Sequence, residues 1–319
     1  LEVKTIGIVA IACADLHLSH RPPIARSLEP DWYATMGNYL DQFSQLSQEQ
    51  DLPVICAGDV FDDGWRSNRC PPELLNFAIS KLPVMYAVPG QHDLKYHRYE
   101  DKEKTAYWTL KEAGKIIDLI PDTPVEIPVR KGHVLRLHGF PWGVPIRPLK
   151  DPHDMMIEVA VVHDYVWTKE TGYPGAPKEK RLANRRGQFK GYDITICGDN
   201  HLPFSMKSDS CTVFNCGSFL RRKIDEISHK PSVGIVYSDN TVKRHYLDCS
   251  HDKFLTTETM SGVITGIGFE SIIEALSELG NAATDFHEAV KRTLEREKVP
   301  SDVKQLIIQL LEGVKDGKS

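Results

Sequence analysis

Five short clusters of carboxylates and imidazoles are spread through the first two-thirds of the chain: Asp15-Leu16-His17, Gly58-Asp59-Val60-Phe61-Asp62, Gly90-Gln91-His92-Asp93, His163-Asp164 and Gly198-Asp199-Asn200-His201. Mixed carboxylate and imidazole ligation suits manganese, iron or zinc, whereas an all-oxygen set would suit magnesium or calcium. Two such metals, about 3.5–4 Å apart, can clamp the attacking and leaving oxygens of a displacement at phosphorus. A pair of that kind needs one shared carboxylate, and Asp59, directly after Gly58, is well placed to be it. An imidazole beside the metals, and not on them, can donate a proton near neutral pH. Any one of these clusters alone reads as polar turn residues. The signal is five of them in order.

Each cluster closes a run of apolar, largely β-branched residues. Thr5–Ala14, Val54–Ala57 and Val84–Val88 read as buried strands, and Trp32–Gln48 and Pro72–Ser80 between them as helices, the second with its proline near the start. This alternation predicts parallel strands joined by crossover helices. Further runs at Val125–Val129, His133–His138, Glu158–Val162, Asp193–Cys197, Thr212–Asn215, Val233–Tyr237 and Val242–Leu247 are more closely spaced, and several of them read as antiparallel. The expected fold class is α/β, a two-sheet α/β sandwich. The carboxyl ends of strands in an open α/β sheet meet at one crevice, so clusters far apart in sequence can meet in space.

After about residue 250 the pattern changes. A Gly/Thr-rich stretch, Thr256–Gly268, precedes three helical patterns, and Val303, Leu306, Ile307, Leu310, Leu311 and Val314 share one face of the last. Residues 1–250 are therefore expected to be one domain, and residues 251–319 a mainly helical appendage that caps the core or binds a partner.

The order Asp-x-His, Gly-Asp-x-x-Asp, Gly-Asn-His-Asp, His, Gly-His-x-His resembles the signature of calcineurin-like metallophosphoesterases, which this chain matches from Asp15 to His201 with two departures. The resemblance implies a dinuclear metal centre. Asp15, His17 and His201 would hold the first ion, Asp59 would bridge, and Gln91, His163 and Asp199 would hold the second. His92 would protonate the leaving oxygen, with Asp62 and Asp93 orienting the groups around it. Gln91 stands where the family has Asn, and Asp199 where it has His. Both changes fall on the second metal and make its ligand set harder and more anionic, which favours manganese or magnesium over zinc. Manganese is the expected ion, with magnesium, iron and zinc as the other candidates.

A finer resemblance rests on Gly58-Asp59-Val60-Phe61-Asp62, on Val88-Pro89-Gly90-Gln91-His92-Asp93-Leu94 and on Asn215-Cys216-Gly217-Ser218-Phe219-Leu220-Arg221-Arg222. These segments are similar to those of SbcD-type DNA exo/endonucleases of recombination and repair. They imply a DNA substrate, and raise an SMC-like ATPase partner and a homodimer as expectations. The basic stretch between the fourth and fifth clusters fits that substrate: Lys180, Arg181, Arg185 and Arg186 are candidate phosphate contacts, as are Arg221 and Arg222. The alternatives are hydrolysis of a small phosphodiester or a phosphoprotein, and a non-catalytic scaffold whose second metal site has decayed.

Composition sets the remaining bounds. With 41% hydrophobic and 26% charged residues the chain can form a substantial core, and a formal net charge of −5 gives no bulk attraction for nucleic acid. Two bound dications would offset most of that charge. No apolar run is long enough to span a bilayer, so no membrane association is expected. Thr5–Ala14 lacks a basic leader and reads as a strand, not as a signal peptide. Seven cysteines without a CxxC pair argue against a disulfide framework and for a cytoplasmic protein.

Overall fold

The computed structural model describes residues 6–255. The expected helical appendage lies outside the described residues. Two six-stranded sheets are stacked face to face. The first has the strand order β12-β11-β1-β2-β3-β4, formed by β1 (Ile8–Cys13), β2 (Val54–Cys56), β3 (Met85–Ala87), β4 (Ile116–Asp118), β11 (Ser232–Tyr237) and β12 (Val242–Tyr246). The second has the order β5-β6-β7-β8-β10-β9, formed by β5 (Val125–Pro128), β6 (Val134–Phe140), β7 (Ile157–His163), β8 (Ile194–Gly198), β9 (Phe204–Ser208) and β10 (Cys211–Asn215). Strands β1 to β4 are parallel, and so are β6, β7, β8 and β10; β11 pairs antiparallel with β1 and β12, and the edge strands β5 and β9 are antiparallel to their neighbours. The two-sheet α/β sandwich expected from the sequence is the observed fold.

The alternation of side chains along each strand builds the layers. In β1, Ile11 and Cys13 face outward and pack with Val54, Cys56, Met85 and Ala87 against the helices. Ala10 and Ala12 face inward, where Ile55 meets Leu135, Leu137, Val159, Val161, Ile194 and Ile196 of the second sheet. The helices on the outer face are α1 (Trp32–Gln50), α2 (Pro72–Lys81) and α3 (Ala106–Glu112). Helix α1 buries Trp32, Met36, Tyr39, Leu40, Phe43 and Ser47, one face at helical spacing. Its N-cap, Asp31, accepts a hydrogen bond from the Ala34 amide at 2.9 Å. The far face of the second sheet is covered by the segment around the one-turn helix α4 (Leu182–Arg185), with Phe140, Val162, Leu182, Phe189 and Cys197 packed together.

Strands β4 and β9 and helices α3 and α4 are additions to the elements expected from the sequence. Of β4 only Ile116 is buried, and in β9 the three central residues are exposed. Neither short edge strand carries an apolar pattern that stands out from a loop.

Arg26, fully buried, fastens the end of this body. Its guanidinium donates to Glu29 and Asp252 and to the carbonyls of Arg221 and Lys253, and it lies against the rings of Trp32 and Phe254. Asp252 also accepts from Tyr39 at 2.6 Å and Arg221 at 2.7 Å, and the Leu255 amide donates to Ala25. Residues 249–255 are thereby held against α1. Among the described residues no helix is long and apolar enough to cross a membrane. Six of the seven cysteines are buried, and all are free.

Candidate metal centre

The parallel strands deliver the five clusters to one end of the sandwich. Asp15 and His17 follow β1, Asp59 and Asp62 follow β2, and Gln91, His92 and Asp93 follow β3. From the facing sheet, His163 is the last residue of β7, and Asp199 and His201 follow β8. The loops are laced together by their backbones: Asp15 N–H donates to Gly58 O at 3.0 Å, His17 N–H to Asp59 O at 2.9 Å, and Gly64 N–H to His92 O at 3.0 Å. Asp15, His17, Asp59 and Asp199 all have left-handed backbone, with φ of 54°, 43°, 52° and 76°. Residues with a β-carbon avoid this region unless their surroundings enforce it, and such strain gathers at functional sites.

Three overlapping groups bring potential ligand atoms within 4.8 Å of one another: Asp15, His17 and His201; His17, Asp59 and His92; and Asp15, Asp59 and His163. Asp59 is shared by two of them. Its Oδ1 accepts from the His92 amide at 2.9 Å, while Oδ2 faces His17 Nε2 at 3.7 Å and His163 Nε2 at 3.3 Å. That oxygen is shut off from solvent and has no hydrogen-bond partner, as are Asp15 Oδ2 and His17 Nδ1. Buried oxygens without partners are costly unless something else satisfies them. The imidazole geometry makes the same point. His17 Nε2 and His201 Nε2 point at each other across 3.1 Å. His163 donates its Nδ1 proton to the Ala57 carbonyl, and its Nε2 stands 2.6 Å from Gln91 Oε1. A carbonyl oxygen only accepts, so a proton or a cation has to stand between that pair. The donor set therefore fits divalent cations.

The charges agree with a cation site. Burial, partly offset by His201 and His163, pushes Asp15 up to about 6. Burial and the charge of Arg222 push His17 down to about 3, so its imidazole is neutral and able to ligate. Burial works against ionisation of Asp59, yet His163, His92 and His17 hold its carboxyl well below the usual range. Burial likewise opposes charge on His163, but Asp59 raises it. Asp199 is pushed up, by burial first, with His163 working the other way.

Around this cluster the supporting residues have distinct tasks. Asp93, fully buried, accepts from the amides of Val60, Phe61 and Gly90 at 3.0–3.1 Å and so fixes the loop that carries Asp59. Burial and the neighbouring Asp59 push it up to about 7. His92 Nδ1 lies 2.6 Å from the carbonyl of Asp62, which can only accept, so Nδ1 carries a proton and Nε2 is the atom free to exchange one. The Asp62 carboxylate pairs with Arg222 and lies 3.5 Å from His17 Nδ1, and Arg222 and His17 hold it well below the usual range despite burial. Gln91 and Asp199, the two departures, touch each other: Gln91 Nε2 donates to Asp199 Oδ1 at 2.6 Å.

Two participants carry no motif signal. Glu226 accepts from the amides of Arg222 and Lys223 and from Ser218, and it lies 3.8 Å from His201 Nδ1. Trp142 lies with its ring 6.3 Å from that of His163. No short-range sequence feature distinguishes either from an ordinary surface residue.

The candidate basic contacts divide. Lys180 and Arg185 both bind Asp164, at 2.6 and 2.7 Å, and Arg185 is 5% exposed. Arg221 spends its donors on Asp252 and on the carbonyls of Ile227 and Cys249. Arg185 and Arg221 thus serve inside the fold. Arg181 lies against Trp167, Arg186 is exposed, and Arg222 reaches Asp62 at the edge of the cluster. A cavity of about 360 Å³ is lined among others by Trp142, Asp164, Glu179, Lys180 and Gln188, and its lining includes none of the metal-cluster residues.

A family model of calcineurin-like phosphoesterases matches residues 8–203. No curated protein matches the chain in sequence. Among solved structures, a sulfate thiohydrolase of Thermus thermophilus, SoxB, in complex with glycerol, is similar over 77% of this chain and 57% of its own, with 9% identity and a TM-score of 0.46. A putative 5′-nucleotidase from Staphylococcus aureus is similar over 75% of this chain and 52% of its own, with 14% identity and a TM-score of 0.45. The protein TT1561 of Thermus thermophilus is similar over 76% of this chain and all of its own, with 8% identity and a TM-score of 0.45. The chain therefore spans little more than half the length of the first two.

Proposed function

The chain belongs to the calcineurin-like phosphoesterases, hydrolases of phosphoester bonds built on a dinuclear divalent metal centre, and from that premise we propose that it is a DNA nuclease of the SbcD type. The observation that carries this reading is the return of the Asn215–Arg222 segment to the centre. Phe219 N–H donates to Asp15 O at 3.2 Å, and the Arg222 guanidinium, paired with Asp62, stands beside the histidines. A guanidinium there suits a bridging phosphate, and Arg186 and Arg181 extend positive charge along the loop between β7 and β8.

When bound, two divalent cations would supply Lewis-acid polarisation of the phosphoryl oxygens and an activated water. Asp15, His17 and His201 would hold one, His163, Gln91 and Asp199 the other, with Asp59 shared. His92 Nε2 delivers a proton to the departing oxygen, its ring fixed by the bond from Nδ1 to the Asp62 carbonyl. Asp93 keeps Asp59 in place through the three amides it binds. The oxygen-rich second set, with one imidazole, favours manganese. We place the enzyme in the cytoplasm, where an SMC-like ATPase and a second copy of the chain would be its partners.

A small phosphodiester is the competing substrate, and the cavity of about 360 Å³ lined by Trp142, Asp164 and Lys180 is large enough for a compact ligand. A screen of manganese, magnesium, iron and zinc on single- and double-stranded DNA, run beside bis-p-nitrophenyl phosphate, separates the two. Manganese-dependent DNA cleavage is expected. Hydrolysis of the small diester with intact DNA in every metal would overturn the nuclease reading.

A further inference from the structure

Next to the proton donor, two loops carry an aromatic pair that neither the metal centre nor the core uses. Trp65 follows Gly64, whose amide donates to the His92 carbonyl, and Tyr96 lies four residues beyond His92. The two rings meet with centroids 5.1 Å apart at 53°. Trp65 is half-buried, but Tyr96 is 65% exposed. Tyr96 and His97 are consecutive residues with left-handed backbone, φ 53° and 56°. Side chains with a β-carbon rarely adopt that conformation, and here two in a row hold an aromatic ring out into solvent.

The pair is flanked by cations. The Arg66 guanidinium lies 4.7 Å from the Trp65 ring and the Lys95 ammonium 5.3 Å from the Tyr96 ring. His97 packs edge-on to Trp142, with centroids 6.5 Å apart. In sequence, both loops interleave aromatic and basic residues: Trp65-Arg66 in one, Lys95-Tyr96-His97-Arg98 in the other. An aromatic face set among cations, beside a site for phosphoester cleavage, matches a ligand that joins a flat ring to a phosphate chain. A base inside a duplex already has both faces covered, which points to an unpaired base as the ligand.

We propose that Trp65 and Tyr96 form a stacking platform for an unpaired nucleobase of the strand whose phosphate lies at His92. This rests on the nuclease reading and narrows its substrate to single-stranded or frayed nucleic acid. The base stacks on the exposed Tyr96 ring, Trp65 backs that ring, and Arg66 and Lys95 meet the flanking phosphates. Stacking of this kind tolerates any base, so little sequence preference accompanies it.

The test compares the full chain with Tyr96→Ala, Tyr96→Phe and Trp65→Ala. It measures dissociation constants for a fluorescein-labelled single-stranded dT oligonucleotide and for a blunt duplex at fixed salt. Loss of one stacked base corresponds to roughly 5- to 150-fold weaker binding. That loss is expected for the single strand with Tyr96→Ala and, to a lesser extent, Trp65→Ala, while Tyr96→Phe binds within threefold of wild type. Duplex binding is expected to change less than twofold. Tyr96 is exposed, so the melting temperature should hold and report an intact fold. Single-strand affinity unmoved by Tyr96→Ala, or a loss that Tyr96→Phe shares, would refute the platform while leaving the nuclease reading standing. That reading falls by its own measure, intact DNA in the metal screen.

Discussion

Gly90→Ala probes the centre without touching a ligand. Gly90 has ordinary extended backbone, φ −90° and ψ −179°, so alanine there adds a methyl group and no backbone strain. That methyl would stand 2.6 Å from both Asp59 Cγ and Asp59 N, and closer still to Oδ1. Ordinary contact begins near 3.4 Å, so the methyl and Asp59 have to separate by about 0.8 Å at Cγ and N and by about 1.3 Å at Oδ1. The Asp59 backbone has little room to give, since His17 binds its carbonyl and Asp93 holds the two amides that follow it. Moving the carboxylate alone would leave the methyl 2.6 Å from the Asp59 nitrogen, so the strained backbone and the carboxylate it carries have to shift together. Metal–ligand distances tolerate about ±0.2 Å, and a misplacement of roughly 1 Å can cost about 10²-fold in rate. We expect kcat/KM for bis-p-nitrophenyl phosphate at saturating manganese to fall by about 10²-fold or more, with metal content measured by mass spectrometry falling in parallel. Gly187→Ala, whose methyl would meet nothing within 4 Å, serves as the control and should change little. A Gly90→Ala protein that holds as much metal as wild type and hydrolyses the diester within threefold of it would refute the assignment of Asp59 as the shared ligand.

His92→Ala should keep its metals but lose about 10²–10⁴-fold on poor leaving groups, and far less on p-nitrophenyl esters, whose leaving group scarcely needs a proton; equal losses on both substrates would count against His92 as the acid. Asp199→His should shift activation from manganese toward zinc or cobalt by returning a nitrogen to the second ligand set; an unchanged metal preference in titrations of both proteins would remove Asp199 from that set. Arg26→Ala should destabilise the fold by about 3–5 kcal/mol, because Glu29 and Asp252 would be left buried without their cation. For a body of this size that corresponds to a melting-temperature drop of roughly 6–20 °C, and a drop under 2 °C would show that the network contributes little.

The strands and the order of the clusters were legible because they are local. A buried parallel strand is a short apolar run, the chain turns polar where the run ends, and Asp15, Asp59, His92, His163 and His201 all sit at or just past such ends. Helix α1 was legible for a similar reason, its buried face repeating at helical spacing. Charge counting failed where pairing decides. Arg185 and Arg186 are neighbours of one type, yet the first is bound to Asp164 inside the fold and the second faces solvent.

Gln91 and Asp199 show a different limit. Each was legible as a departure in its own slot, and each alone reads as damage to the second metal site, one side chain longer than the family's Asn, the other shorter than its His. Together they are complementary. The longer amide of Gln91 reaches Asp199 Oδ1 with its nitrogen and presents its oxygen to His163 Nε2, both at 2.6 Å. The shorter carboxylate leaves room for that reach and accepts the bond. A hydrogen bond to one oxygen of Asp199 leaves the other for a cation, and it fixes which end of the Gln91 amide faces the centre. The two positions are 108 residues apart, and spacing along the chain carries no trace of such an exchange of length across a cleft. The pairing holds an amide oxygen and a carboxylate together beside His163, which two unrelated losses would not be expected to do.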